Sequence, residues 1–346
     1  MKFLRFSAFI LAVIALIPLL SSCARKEPYT KTYYEYFDTV CTVYSYADEK
    51  QKSFNSNCDL ISSELDSYPR LFDVYHEYSG INNLKTVNDN AGISPVKVDE
   101  RLIDFLLYAK EMYRVTDGEM NIAMGAVLSL WHERRDEASK DPSAASLPDV
   151  AALALASDHC DIESIVIDKD ASTVYISDGL TRIDAGALGK GYATERIAKM
   201  LEERGISSYV LDIGGNLRII GTKPDGGGWR TGITDPKSKE SGYALCINIS
   251  DISCVTSGDY ERYYTVDGKN YHHIIDKDTL FPAEYFASVT VLCKDSGLAD
   301  ALSTALFCMP YEDGAELVLS LGVDAVWIFH SGEIKMTEGI KSRISE

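Results

Sequence analysis

The stretch Ile183-Asp-Ala-Gly-Ala-Leu-Gly-Lys-Gly191 runs without a break into a helical pattern that starts at Tyr192. Three glycines fall within six positions here, and Lys190 lies among them. Backbone N–H groups in such a segment can approach a phosphate closely, and the N-terminus of the following helix favours negative charge. The spacing matches neither GxxxxGK[ST] nor GxGxxG. This junction therefore predicts either an anion-binding loop or only a tight structural turn.

The chain downstream of the junction alternates helices with short strands. A helix is predicted over Tyr192–Glu203, ending at Gly205, followed by a strand over Tyr209–Ile213. Between residues 217 and 293, short apolar runs are separated by Gly, Pro and Asp, which is typical of antiparallel strands. The last predicted elements are helices over Ala299–Met309 and Asp313–Leu321 and a strand over Ala325–Phe329.

Upstream of the junction, the pattern also mixes strands with helices. Tyr33–Tyr46 is rich in aromatic and β-branched residues and predicts one strand. Apolar residues at helical spacing predict one helix around Cys58 and Ile61 and another over about Asp99–Val115, while Ile165–Ile176 is typical of a hairpin. The expected fold class is α+β, with mixed, largely antiparallel sheets and packed helices.

The charge of the chain restricts its ligands. The 346 residues include 34 Lys+Arg and 52 Asp+Glu, a formal net charge of −18. Sequence-independent nucleic-acid binding requires Lys and Arg to neutralise phosphates, so we expect no nucleic-acid partner. An anionic ligand must then be held by local donors or by a metal.

The N-terminus is typical of an export signal over residues 1–22. Lys2 and Arg5 precede the apolar run Ala8–Leu20, whose 13 residues are fewer than the roughly 20 that span a bilayer. The run ends in Leu20-Ser-Ser-Cys23, which resembles a bacterial lipobox, in which the Cys carries the lipid. An ordinary signal peptide with an incidental Cys remains the alternative.

This interpretation divides the chain into three parts. We expect residues 1–22 to be a lipoprotein signal peptide, 23–32 a lipidated tether and 33–346 the folded domain. The protein would then be anchored to the cell membrane and face its extracytoplasmic side. Seven cysteines remain after Cys23, without a CxxC pair, and those in apolar runs are interpreted as small buried hydrophobes.

Asp300 and Thr304 are four residues apart on a predicted helix and therefore share one face. A carboxylate and a hydroxyl are hard oxygen ligands, which suit a partial Mg²⁺ site better than a zinc site. The alternative is an exposed Asp and a Thr bonded back into its own helix. Three other windows are each weak alone: Asp212-Ile-Gly-Gly-Asn216, Thr256-Ser-Gly-Asp-Tyr-Glu-Arg262, and the pair His272 and His273 on opposite faces of a predicted strand.

Taken in order, these windows resemble the FAD:protein FMN transferase family, the ApbE-like flavin transferases. The resemblance extends over about residues 34–330 and implies a T-fold-related architecture of two intimate lobes with a flavin cleft between them. The matching windows are Phe37-Asp-Thr39, Tyr78 with Asn88, Thr116-Asp-Gly-Glu-Met-Asn-Ile122, Asp184-Ala-Gly-Ala-Leu-Gly-Lys-Gly-Tyr-Ala193, Asp212-Ile-Gly-Gly-Asn216, Thr256-Ser-Gly-Asp-Tyr260, His273-Ile-Ile-Asp276 with Pro282, Ser288-Val-Thr-Val291 and Ala299-Asp-Ala-Leu-Ser-Thr304.

The resemblance implies Mg²⁺-dependent transfer of FMN from FAD, the substrate, to a threonine of an exported flavoprotein through a phosphoester, with release of AMP. It places the metal at Asp300, Thr304 and the Ala187 carbonyl, helped by Ser303. The implied flavin contacts are Phe37, Tyr78, Glu119, Met120, Asn121, Asp184, Lys190 and Ile275.

Deprotonation of the acceptor hydroxyl requires a base, and His273 is the first candidate because a neutral imidazole accepts a proton near pH 7. Asp184 or a metal-bound water is the alternative. The chain departs from the family where Asn121-Ile-Ala-Met-Gly125 replaces Asp-x-Thr-x-Gly-Pro, and where Lys277 and Leu280 replace the usual Pro and Gly.

Two other functions remain open from sequence. One is an Mg²⁺-dependent FAD pyrophosphatase, in which water replaces the acceptor. The other is a lipid-anchored flavin-binding protein or solute receptor without turnover.

Overall fold

The strands of the protein are short and mostly paired with sequence neighbours. A computed structural model describes residues 27–238 and 242–345. Its strands are β1 (Tyr29–Tyr36), β2 (Thr39–Ser45), β3 (Val96–Lys97), β4 (Ile165–Asp168), β5 (Thr173–Ile176), β6 (Tyr209–Ile213), β7 (Asn216–Ile220), β8 (Trp229–Thr234), β9 (Tyr243–Ile249), β10 (Ser253–Gly258), β11 (Tyr263–Val266), β12 (Lys269–His272), β13 (Ser288–Cys293), β14 (Asp324–Ile328) and β15 (Ile334–Met336).

Helices of very different length connect these strands. They are α1 (Gln51–Phe72), α2 (Leu84–Asp89), α3 (Glu100–Val115), α4 (Gly125–Lys140), α5 (Val150–Ser157), α6 (Gly189–Glu203), α7 (Ser296–Phe307), α8 (Tyr311–Leu321) and α9 (Glu338–Lys341). Within the described ranges, no helix is long and apolar enough to cross a membrane. The predicted signal peptide and Cys23 lie outside these ranges.

The main sheet is antiparallel throughout. Among the described residues it contains eight strands in the order β1-β2-β6-β7-β10-β13-β14-β15. Smaller antiparallel sheets are formed by β3-β5-β4, β8-β9 and β11-β12. This topology confirms the predicted α+β class.

Two helices pack against the main sheet and carry the glycine-rich junction and the Asp300 window. Leu201 of α6 packs with Leu211 of β6, and Leu302 of α7 packs in a core cluster with Val289 of β13. Helix α7 is rich in Ala, Ser and Gly and is buried over nearly its whole length. Asp300 and Ser303 on α7 are therefore buried, whereas Thr304 is half-buried. A buried polar side chain normally requires a hydrogen-bond partner.

The structure corrects several predicted boundaries. The single strand expected over Tyr33–Tyr46 is a hairpin, because Phe37 and Asp38 adopt φ of +54° and +51° and reverse the chain. Strand β1 begins at Tyr29, so residues 29–32 of the predicted tether belong to the folded domain. Helix α7 begins three residues before the predicted Ala299, because the Asp295 carboxylate accepts a hydrogen bond from the Leu298 N–H at 3.0 Å and caps it.

The seven cysteines among the described residues are free thiols. Cys293 and Cys308 are buried, as their apolar runs predict, whereas Cys246 is only half-buried. Burial raises the pKa of the Cys254 thiol to about 12, which suppresses the reactive thiolate at neutral pH. The five buried cysteines therefore act as small core residues.

Candidate functional site

The glycine-rich junction is a tight turn whose N–H groups are largely engaged within the protein. The Gly191 N–H donates to Asp300 Oδ2 at 2.7 Å, and the Gly186 N–H donates to Asp184 Oδ1 at 2.7 Å. The Leu188 and Gly189 N–H groups both donate to the Ala185 carbonyl, at 3.1 and 2.7 Å. The turn interpretation is therefore favoured over a backbone cradle for phosphate.

Gly191 permits a close approach between α6 and α7. A Cβ atom on Gly191 would lie 2.3 Å from the Asp300 Cβ and 2.5 Å from the Ser296 carbonyl oxygen. Both distances are far below van der Waals contact. Glycine is therefore required here by packing against a neighbouring helix.

We expect Gly191→Ala to destabilise the fold by about 1–3 kcal/mol, because overpacking a tight contact forces backbone shifts. Chemical denaturation measures the free energy of unfolding. Gly179→Ala is the matched control, since its added Cβ would meet neighbours no closer than 3.6 Å. Equal stability of the two variants would contradict the packing role of Gly191.

Asp300 is the buried carboxylate at the centre of the site, 5% exposed. Its Oδ2 accepts hydrogen bonds from the Gly191 N–H at 2.7 Å and from the Asn216 side-chain amide at 3.1 Å. Burial raises the pKa of Asp300, and the Lys190 ammonium opposes this shift. Among the described residues, no group donates a hydrogen bond to Asp300 Oδ1, so this oxygen is left available for a cation.

Further hard oxygens lie next to Asp300. Ser257 Oγ is 2.9 Å from Ser303 Oγ and 3.5 Å from Thr304 Oγ1. A carbonyl in a helix usually accepts from the N–H four residues later. For Ala187 this would be the Gly191 N–H, which donates to Asp300 instead, so within the described structure the Ala187 carbonyl lacks that partner. A carboxylate, hydroxyls and a carbonyl suit Mg²⁺. No group of three His, Cys, Asp or Glu residues that could hold a metal occurs in the described ranges.

The turn between β6 and β7 links this centre to the hairpin that carries Phe37. Gly214 adopts φ of +57°, and a Cβ there would lie 2.5 Å from Thr39 Cγ2. Its N–H donates to the Val40 carbonyl at 3.1 Å. The β1–β2 turn therefore packs against the turn that precedes Asn216.

A parallel backbone contact brings the predicted flavin segment 119–121 beside Asp184. The Asp184 N–H donates to the Ile122 carbonyl at 2.8 Å. Met120 is 1% exposed and its N–H donates to Thr116 Oγ1 at 3.1 Å, so neither its side chain nor its N–H is available to a ligand. The Asn121 side chain is engaged by the Cys160 carbonyl and the Ala123 N–H, each at 2.8 Å.

Lys277 and Leu280, which replace the Pro and Gly of the family pattern, contact Glu119 and Trp131 respectively. Lys277 Nζ is 3.3 Å from Glu119 Oε1, and burial raises the pKa of that carboxyl. Leu280 adopts φ of +62°, a conformation that favours the glycine it replaces, and the Trp131 indole N–H donates to its carbonyl at 3.0 Å. Ile275 is buried, and its carbonyl lies 4.0 Å from Cys308 Sγ.

The two neighbouring histidines have different hydrogen-bond partners, although both line the same small cleft. His272 Nε2 is 2.9 Å from the Ala283 carbonyl, whereas His273 Nδ1 is 3.2 Å from the Arg262 carbonyl. A carbonyl only accepts, so His273 Nδ1 carries the proton and Nε2 keeps its lone pair. Burial, Arg262 and Lys190 lower the pKa of His273 to about 3. His273 is therefore a neutral imidazole with a free acceptor nitrogen.

The Tyr78 hydroxyl donates to Asp73 Oδ2 at 2.8 Å, and the Arg70 guanidinium lies 5.6 Å from the Tyr78 ring centroid.

Sequence reasoning missed His132, which lines a small cleft with His273 and whose Nδ1 is 2.6 Å from the Tyr75 hydroxyl. It stands alone in a helical pattern, so nothing in the sequence indicated it.

Sequence reasoning also missed the roles of Asn216 and Ser257. Both fall within windows that were already singled out by their glycines. Only the hydrogen bond from Asn216 to Asp300, and the contacts from Ser257 to Ser303 and Thr304, show why these two side chains matter.

The main antiparallel sheet lies behind the hard oxygens at Asp300, and the Lys190 charge acts on both Asp300 and the neutral His273. This arrangement suits a protein that binds a phosphate-containing ligand and a divalent cation. The model of the ApbE family matches residues 37–327. This chain belongs to the ApbE family.

Relatives and solved structures agree with this assignment. The chain is 31% identical to the FAD:protein FMN transferase of Treponema pallidum over 321 residues, 88% of this chain and 86% of that protein. It is 28% identical to the Escherichia coli K12 protein of the same name over 80% of this chain and 77% of that protein. The crystal structure of the ApbE protein of Thermotoga maritima superposes with a TM-score of 0.80 at 27% identity, covering 92% of this chain and 100% of that one. The predicted ApbE-like fold is confirmed.

Proposed function

We propose that the protein is a transferase enzyme that moves FMN from FAD to a threonine hydroxyl of an exported flavoprotein, forming a phosphoester and releasing AMP. The observation that carries this proposal is the buried Asp300 carboxylate with one oxygen available, together with Lys190, whose charge acts on both Asp300 and the neutral His273. The names of the relatives from T. pallidum and E. coli support it.

The residues present fit Mg²⁺. Asp300, Thr304 and the Ala187 carbonyl, helped by Ser303, would hold the ion. When bound, Mg²⁺ supplies charge neutralisation for the pyrophosphate and for the departing phosphate. Within the site, the Lys190 ammonium adds a positive charge near Asp300. A chain of net charge −18 could thus hold a dianion through one metal ion and one local lysine.

The acceptor hydroxyl must lose its proton as its oxygen bonds to phosphorus. His273 Nε2 is available to take that proton, since Nδ1 is committed to the Arg262 carbonyl. The low pKa of His273 makes it a weak base in the free enzyme, and a bound pyrophosphate would raise that pKa. Asp184 or a metal-bound water remains the alternative acceptor.

A direct test incubates the protein from residue 24 onward with FAD, Mg²⁺ and a candidate acceptor domain. Mass spectrometry should find one FMN ester on an acceptor threonine, with AMP released in equal amount. Free FMN with AMP and no labelled protein would identify the pyrophosphatase instead. Bound but uncut FAD would leave only the flavin-binding protein or solute receptor.

The pH dependence of kcat/KM for FAD tests the environment of His273. As the pH falls, the base loses its activity only when it becomes protonated. With a pKa of about 3, the His273 imidazole stays neutral well below pH 6.5. We therefore expect kcat/KM to show no decline centred near 6.5, the pKa of an exposed histidine. Steady-state rates between pH 5 and 8 measure this. A decline near 6.5 that disappears in His273→Gln would contradict the lowered pKa of His273.

We also propose that Cys23 carries lipid and anchors the enzyme to the extracytoplasmic face of the cell membrane. The support is the lipobox-like Leu20-Ser-Ser-Cys23 after an apolar run too short to span a bilayer. The acyl chains on Cys23 would then form the contact with the membrane.

Replacing Cys23 with alanine should move the protein from the membrane fraction and abolish incorporation of a labelled fatty acid. The physical reason is that the acyl chains are the proposed membrane contact. Cell fractionation and labelling measure both effects, and Cys58→Ala, a buried core cysteine, is the control. Persistent labelling of Cys23→Ala would show that another residue carries the lipid.

A further inference from the structure

Two buried carboxylates lie along the contact between α6 and α7. Gly191 and Glu195 are four residues apart on α6, and Ser296 and Asp300 are four residues apart on α7, so each pair spans about one helical turn. Asp300 Oδ2 accepts from Gly191 of α6 and Asn216 of β7. This carboxylate of α7 thus joins α6 to the sheet.

Glu195 makes the reciprocal connection one turn away. Its Oε2 accepts from the Ser296 N–H, the first residue of α7, at 2.9 Å and from Arg218 Nε of β7 at 3.1 Å. Arg218 is fully buried, and its Nη2 also donates to Glu202 Oε1 at 2.8 Å. This carboxylate of α6 thus joins α7 to the same strand.

The two connections share all three elements. Asn216 and Arg218 alternate by two along β7, so their side chains point to the same face of the sheet. Each carboxylate accepts one backbone N–H from the opposite helix and one side-chain donor from β7. Because α6 and α7 approach as closely as Gly191 allows, a shift at Glu195 is transmitted directly to the Gly191 hydrogen bond with Asp300.

We propose that Glu195 is a positioning residue that, with Arg218, sets the orientation of the Asp300 carboxylate toward its metal ion. The inference rests on the proposed function, which places Mg²⁺ at Asp300. Oδ2 is fixed by two donors, and this fixes the direction of Oδ1. Groups that orient a metal ligand from behind typically change metal affinity by about 10–100-fold when they are removed.

The test measures Mn²⁺ binding by the protein from residue 24 onward, using electron paramagnetic resonance to quantify free Mn²⁺. Glu195→Gln is expected to raise the Mn²⁺ Kd by about tenfold or more, because the neutral amide oxygen is a weaker acceptor than the carboxylate for both the Ser296 N–H and the Arg218 guanidinium. Glu202→Gln is the matched control, since Glu202 pairs with the same Arg218 and, among the described residues, makes no hydrogen bond to α7. Its Mn²⁺ affinity should equal that of the wild type.

The possible outcomes separate the inference from the proposed function. A weaker Kd in Glu195→Gln alone supports the positioning role. Equal Kd in all three proteins, or a loss shared by Glu202→Gln that follows thermal stability, overturns it. A wild type that binds no Mn²⁺, with or without FAD, overturns the metal assignment of the proposed function and the inference with it.

A second variant covers the case in which Glu195→Gln does not fold. Glu195→Asp keeps a negative charge that can pair with Arg218, but its shorter side chain moves the carboxylate away from the Ser296 N–H. The same weakening of Mn²⁺ binding is expected. Hydrogen exchange of the peptide containing Gly191, measured without metal, should quicken in Glu195→Asp and not in Glu202→Gln. Unchanged exchange and affinity would overturn the inference.

Discussion

Replacing Asp300 with asparagine is expected to lower FMN transfer by about 10³-fold while leaving the fold intact, because the variant removes the charge that would hold the metal. The amide oxygen can still accept from Gly191 and Asn216. Burial penalises the Asp300 charge in the folded protein, so a neutral side chain of the same shape removes that cost. Transfer rates at saturating FAD and the melting temperature together measure the effect.

Asp324→Asn is the control for this prediction. Asp324 lies in β14, where Oδ1 accepts from Thr337 Oγ1 at 2.6 Å and Oδ2 is 3.6 Å from Arg343 Nη2, so its loss removes an ion pair that does not contact the site. The control should transfer FMN at the wild-type rate. Full activity of Asp300→Asn would refute the metal assignment.

Replacing His273 with alanine is expected to slow FMN transfer by about 10²–10⁴-fold, the range typical of a lost general base. FAD binding should change little, because the imidazole is assigned to the acceptor hydroxyl. Single-turnover rates and FAD titration separate the two effects. Added imidazole should restore part of the rate, as the cavity left by the side chain can admit it.

His272→Ala is the control, since the neighbouring imidazole bonds the Ala283 carbonyl and packs against Phe307. It should retain FMN transfer. Unchanged transfer by His273→Ala would remove His273 as the base and favour Asp184 or a metal-bound water.

Most of the elements could be predicted from local patterns. The helix around Cys58 and Ile61 and the hairpin over Ile165–Ile176 follow from apolar spacing, because one face of each element is buried in the core. The hairpin within Tyr33–Tyr46 could not be predicted. Its reversal depends on Phe37 and Asp38 at positive φ, and no glycine marks the turn.

The candidate site was only partly accessible from sequence. The pairing of Asp300 with Thr304 follows from helical spacing, and the resemblance supplied Ala187 and Lys190. The roles of Asn216, Ser257 and Glu195 could not be predicted, because their contacts join residues 23 to 101 positions apart in the chain.

The sequence by itself determined the class of fold and the family, because periodic apolar residues and ordered motifs are local properties of the chain. Only the tertiary structure decided what the glycine-rich junction does. Gly191 serves the contact with Asp300, and its N–H stabilises that carboxylate. The physical reason is that a glycine N–H can approach a phosphate or a protein carboxylate equally well, and only the position of α7 determines which of them it meets.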